Sequence, residues 1–115
     1  MARAPRRLTE QQFMQQVVAL ARLGGWRVYH PWVSIRSAPG YPDLTLAKAG
    51  EPLLFCELKT DTGTLTAAQA DWLALLRQVQ GCEVYVWTPA HWPAIEQRLL
   101  RGRSEALGEP RGGMR

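Results

Sequence analysis

Apolar positions recur along this chain with helical spacing in some stretches and strand spacing in others, and the changes of spacing divide it into elements. Between Leu8 and Gly24, residues Phe13, Val17, Leu20 and Ala21 fall at i, i+4, i+7 and i+8, which is one face of a helix. Thr9 followed by Gln12 has the form of a capping box at its start, and Gly24-Gly25 stops it. Trp26–His30 alternates and predicts a first strand, and Ser34–Tyr41, punctuated by Pro39 and Gly40, predicts a loop. Asp43–Ala47 alternates polar and apolar. Leu53–Lys59 is apolar until two charges close it, and Lys48–Pro52 between these runs reads as a hairpin turn. Asp61–Leu65 is a polar connector. Thr66–Gln80 predicts a second helix with Ala70, Leu73, Leu75 and Leu76 inward, ended by Gly81. Glu83–Trp87 alternates as a fourth strand, with Val84 and Val86 facing opposite to Tyr85. Pro89 opens a last helix whose inner side is expected to carry Ala94, Ile95 and Leu99. The order is α-β-β-β-α-β-α. A hairpin followed by a strand–helix–strand crossover predicts an α/β fold with a mixed central sheet flanked by helices.

A chain of 115 residues, 46% hydrophobic, is expected to form one domain over residues 8–100. No apolar stretch approaches membrane-spanning length and no apolar run follows the start, so a soluble cytoplasmic protein without a membrane partner is expected. Cys56 and Cys82 lie in apolar strand-like runs, which favours buried free thiols over a disulfide. The net charge is +4, and its location changes the picture. Met1–Arg7 holds three arginines, Arg6 and Arg7 among them, and no acid; 101–115 holds four arginines against two glutamates. The stretch between is close to neutral. Basic tails around such a body fit contacts to a phosphate backbone; the alternative is two solvated, disordered ends.

Chemistry concentrates at the ends of the central strands. Alternation puts Glu57 and Lys59 on one face, and a turn centred on Gly50 puts Asp43 opposite Glu57. Facing like charges destabilise a hairpin. A divalent cation removes that cost, because hard carboxylate oxygens are what Mg²⁺ prefers. Two carboxylates and a lysine on one patch suit metal-assisted attack of water on a phosphodiester. Glu10, three residues before Phe13, projects from the apolar helix face, where a carboxylate must be paired, protonated or near a metal, or else it is an acid at the positive end of the helix dipole. Gln69 completes a Thr66-x-x-Gln69 capping box. His30 ends the first strand, His91 sits by the last helix, and neither forms a histidine metal motif. Trp32 in the loop is a core residue or a stacking surface for an unpaired base. Arg36, with Lys48 and Arg77 behind it, is either a phosphate contact or a solvated charge.

Pro42-Asp43 and Glu57-Leu58-Lys59 match, in order and spacing, the signature of the PD-(D/E)XK nucleases, which the chain resembles. Thr9-Glu10, Gly25–His30, Ser34–Ser37, Ala38–Leu44 and Leu65–Trp72 extend the likeness to the small stand-alone phage and prophage VRR-NUC branch, from about Leu8 to Thr88. The loop after His30 departs from it, with Ser34-Ile35-Arg36-Ser37 where paired arginines are common. The resemblance implies a restriction-endonuclease-like αβββαβ core with an extra C-terminal helix. It implies a Mg²⁺ or Mn²⁺ site made by Asp43, Glu57, the Leu58 carbonyl and Glu10, with Lys59 and Gln69 as catalytic neighbours and no nucleotide cofactor. DNA contacts would come from His30, Arg36, Ser37, Arg6 and Arg7. The implied activity is structure-specific cleavage of Holliday junctions or other branched DNA in replication, repair or recombination, leaving 5′-phosphate and 3′-hydroxyl ends, by a homodimer. A non-catalytic DNA- or partner-binding module on the same fold is the alternative.

Overall fold

The computed structural model of the chain describes residues 8–31, 38–60 and 63–101. Arg6, Arg7, Arg36, Ser37, Trp32 and both predicted tails lie outside the described residues. The elements run α1 (Glu10–Leu23), β1 (Arg27–Tyr29), β2 (Leu44–Ala47), β3 (Leu53–Leu58), α2 (Ala67–Leu76), β4 (Cys82–Trp87) and α3 (Trp92–Glu96). A 3₁₀ turn, Pro89–His91, leads into α3, and a π-helical turn, Gln97–Arg101, follows it. No helix among the described residues is long and apolar enough to cross a membrane.

The four strands form one sheet in the order β1-β2-β3-β4. The first two pairings are antiparallel and β3–β4 is parallel, so this is a mixed sheet flanked by helices. Thr45 pairs with both Tyr29 and Phe55, and Phe55 with Val84, which fixes the two faces. One face carries Val28, Leu44, Leu46, Leu54, Cys56, Leu58 and Trp87. It packs on Phe13, Val17, Leu20 and Ala21 of α1 and on Ile95 and Leu99 of the last helical stretch. Burying each large side chain in this core contributes roughly 1.5–3 kcal/mol. The other face carries Tyr29, Thr45, Phe55 and Val84, with α2 over its β3–β4 half. Tyr41 is wedged there, edge-on to Phe55 and Trp72.

Helix α1 begins at the predicted capping box: Thr9 Oγ1 accepts from Gln12 N–H and Gln12 Oε1 accepts from Thr9 N–H. Trp26 lies outside β1, buried in the core, where its Nε1 donates to the Leu99 carbonyl at 3.0 Å. Several expected inner positions differ. Ala70 and Leu75 are exposed, and α2 ends at Leu76 rather than Gln80. Its inner row is Gln69, Trp72, Leu73 and Leu76, an i, i+3, i+4, i+7 series whose first member is polar. That row rotates Ala70 and Leu75 outward. In the last helix Ala94 is exposed, and Arg98 occupies the core side with Ile95 and Leu99. Arg98 is buried because its charge is met inside. Nε donates to Glu83, Nη2 pairs with Glu51 at 3.1 Å, and the guanidinium lies over the Trp26 ring. Both cysteines are free, Cys56 buried and Cys82 partly so.

Candidate active site

The β2–β3 register pairs Leu44 with Cys56, and one step further along it sets Asp43 across from Glu57. The ladder stops at that point. Even-numbered N–H groups of β3 point toward β2, and the one at Leu58 donates to Asp43 Oδ2 at 2.8 Å. The carbonyl of a residue points to the same side as its N–H, so Leu58 also directs its C=O there. Lys59 follows, its backbone N–H held by the Trp87 carbonyl at 2.9 Å. Its ammonium lies 3.6 Å from Glu57 Oε2.

Glu57 is 1% exposed. Its Oε2 accepts from Gln69 Nε2 at 2.9 Å, while its Oε1 is buried without a hydrogen-bond partner. A buried carboxylate oxygen with no donor is costly and calls for a proton or a cation. Burial first, and then the neighbouring charge of Asp43, push the Glu57 carboxyl up to about 7 against the pull of Lys59. Burial also raises Asp43, opposed by the Leu58 N–H, Glu57, Lys59 and His30. The two facing acids are poised to share one proton.

Gln69 closes the capping box that the sequence predicts and also reaches Glu57. Its Oε1 accepts from Thr66 N–H at 2.8 Å and its N–H donates to Thr66 Oγ1, closing the capping box. The same amide's Nε2 orients Glu57. Gly40 makes this approach possible: its φ is +84°, and a Cβ there would run into the Ala68 backbone. The loop holding Pro42 and Asp43 therefore lies against the first turn of α2. Beside Asp43 a cavity of about 180 Å³ opens between Met14, Pro39 and Tyr41.

Of the expected site residues, Asp43, Glu57, Leu58, Lys59 and Gln69 come together, and His30 lies close enough to Asp43 to act on its charge. Glu10 does not join them as the apolar-face reading expected. In the first turn of α1 Glu10, Gln11 and Gln12 are exposed, and the buried face of the helix begins at Phe13. Glu10 instead supplies the acid of the first turn, where the helix dipole favours it. Among the described residues no three His, Cys, Asp or Glu side chains form a metal-holding group. Lys48 is at the far end of β2 from Asp43, donating to the Gly24 carbonyl at 2.8 Å and lying over Trp26. Arg77 caps the far end of α2 and is exposed. His91 is structural: its Nδ1 accepts from Thr88 N–H at 3.0 Å. No family model, curated protein or solved structure matches the chain.

Proposed function

We propose that the chain is a metal-dependent DNA endonuclease of the PD-(D/E)XK type, with a restriction-endonuclease-like core. The observation that carries this reading is the facing pair Asp43 and Glu57 with Lys59 beside it, one Glu57 oxygen buried and unsatisfied. The donor set fits a hard divalent cation: carboxylate oxygens of Asp43 and Glu57 and the Leu58 carbonyl are the ligands Mg²⁺ or Mn²⁺ takes. Water would fill the positions that Glu10 does not supply. When bound, the cation polarises the scissile phosphate and acidifies water.

The chain's own residues do the rest. The Leu58 N–H and Gln69 Nε2 fix the two carboxylates, so little reorganisation precedes reaction. Lys59, held by its backbone to β4, places an ammonium beside Glu57. There it orients the attacking water and offsets charge developing on the phosphate. Cleavage of branched DNA by a homodimer belongs to the same reading: the described domain carries one acid pair, and two protomers would present two sites to two strands. The rival reading, a non-catalytic DNA- or partner-binding module, draws on the absence of a third acid beside the pair among the described residues. Labelled four-way junction, flap and linear duplex, incubated with Mg²⁺, Mn²⁺ or chelator, separate the two. Metal-dependent cutting with junction ahead of linear duplex supports the nuclease; binding without cutting supports the module.

A further inference from the structure

The sheet face that carries Asp43 and Glu57 continues beyond α2. Tyr29 stands on it, paired with Thr45 and therefore one cross-strand diagonal, about 7–8 Å, from Asp43. Tyr29 is 62% exposed although it lies within a strand. Arg27, two residues back on the same face, is exposed opposite Ala47. From Asp43 to Ala47 the face runs about 13 Å along β2. At the end of the strands lies a broad groove of about 670 Å³, bordered on this face by Arg27 and Leu53 and on the core side by Lys48, whose side chain turns to Gly24 and Trp26. The acid bordering that groove, Glu51, has its charge taken up by Arg98 at 3.1 Å. The groove's remaining charges, Arg27 and Lys48, are positive. Lys48 spends one of its N–H donors on Gly24 and keeps others.

We infer that this face is a track for single-stranded DNA leading to the acid pair, with an unpaired base stacked on Tyr29 and a flanking phosphate on Arg27. The order of chemistry along the face is what selects this occupant. An exposed aromatic on an uncovered part of the sheet offers a π-face, and of the bases in a branched DNA only an unstacked one can take it. Bases of a duplex are stacked on one another and present edges instead. Arg27 lies beyond the aromatic on the side away from the carboxylates, so a strand passing over Tyr29 meets positive charge at one end and the proposed cleavage chemistry at the other. A length of about 13 Å accommodates a few nucleotides of one strand. The inference rests on the nuclease reading for its substrate and narrows it: the recognised part of a branched substrate is its unpaired arm.

Fluorescence anisotropy in chelator, where no cleavage occurs, tests it on the full chain with a labelled thymidine 15-mer and a 15-base-pair duplex. The single strand binds more tightly than the duplex. Tyr29→Ala weakens single-strand binding about 5- to 100-fold, Tyr29→Phe restores it, and Arg27→Ala makes the salt dependence shallower by about 0.7 in log K against log salt. Circular dichroism of each variant shows that the fold is kept. Equal affinity for duplex, wild-type binding by Tyr29→Ala, or failure of Phe to restore binding overturns the track, including the case in which the face is covered by a second copy of the chain. Cleavage assays on Asp43→Asn separate the two readings. Asp43-dependent cutting with no role for Tyr29 leaves the nuclease without the track, and ring-dependent binding without any cutting leaves the track without the nuclease.

Discussion

Glu57→Gln changes one atom and removes the charge that the fold must otherwise bury. In the metal-free protein Glu57 is lifted from its ordinary 4.5 to about 7, chiefly by burial and then by Asp43. Below pH 4.5 the carboxyl is protonated folded and unfolded, and its titration costs nothing. Between 4.5 and 7 the unfolded chain gives up the proton while the folded one keeps it, so wild-type stability falls as pH rises. Above 7 the cost is complete. At 1.36 kcal/mol per unit, the rise of Glu57 from 4.5 to about 7 comes to about 3 kcal/mol. A Gln at 57 still accepts from Gln69 Nε2, and its own amide N–H can donate to Asp43, so the geometry survives the change. Urea unfolding in chelator is therefore expected to give equal stabilities near pH 4.5. By pH 8 Glu57→Gln should be the more stable by about 3 kcal/mol. Saturating Mn²⁺ should then raise the wild type and leave Glu57→Gln nearly unmoved. An equal pH dependence in both proteins would refute the claim that Glu57 is a strained buried acid.

Arg98→Met leaves Glu51 and Glu83 without their buried partner and is expected to cost about 3–5 kcal/mol in urea unfolding; adding Glu51→Gln and Glu83→Gln should recover most of it. Gly40→Ala is strained by its φ of +84° and collides with the Ala68 backbone. It should lower stability by more than the roughly 1–2 kcal/mol of the conformational penalty and slow cleavage too, because Asp43 moves with the loop. Lys59→Ala should keep metal and DNA affinity, read by calorimetry and anisotropy, while cleavage slows about 10²- to 10³-fold; loss of metal binding would contradict its assignment.

The fold was legible wherever side-chain burial follows a regular period. Phe13, Val17, Leu20 and Ala21 are the buried face of α1, and the turn around Gly50 gives the register that sets Asp43 against Glu57. The apolar pattern failed where a polar residue took an inner position, although the capping box and the resemblance had singled out Gln69. Gln69 lies inward because Glu57 needs its amide, and Arg98 because Glu51, Glu83 and Trp26 receive it. An apolar pattern cannot register either, though both complete helical rows: Gln69 with Trp72, Leu73 and Leu76, and Arg98 with Ile95 and Leu99. The expected apolar-face position of Glu10 differs in the opposite sense. Its spacing set it on the apolar face, but in the structure it is exposed in the first turn, where the capping box and not burial organises the helix start. Tyr29 drew no notice in the sequence because alternation gives a face without saying which half of that face α2 leaves open.

Cleavage of one labelled branched DNA by the wild type and by Asp43→Asn, each with Mn²⁺ and with excess chelator, tests the central claim most directly. Asp43→Asn keeps the side chain's size and an oxygen that can accept from Leu58 N–H, and removes the charge that a cation would bind. The account predicts cutting by the wild type with metal alone, none in chelator, and at least a hundredfold loss in Asp43→Asn with the fold unchanged. Cutting that persists in chelator, or that survives in Asp43→Asn, contradicts it.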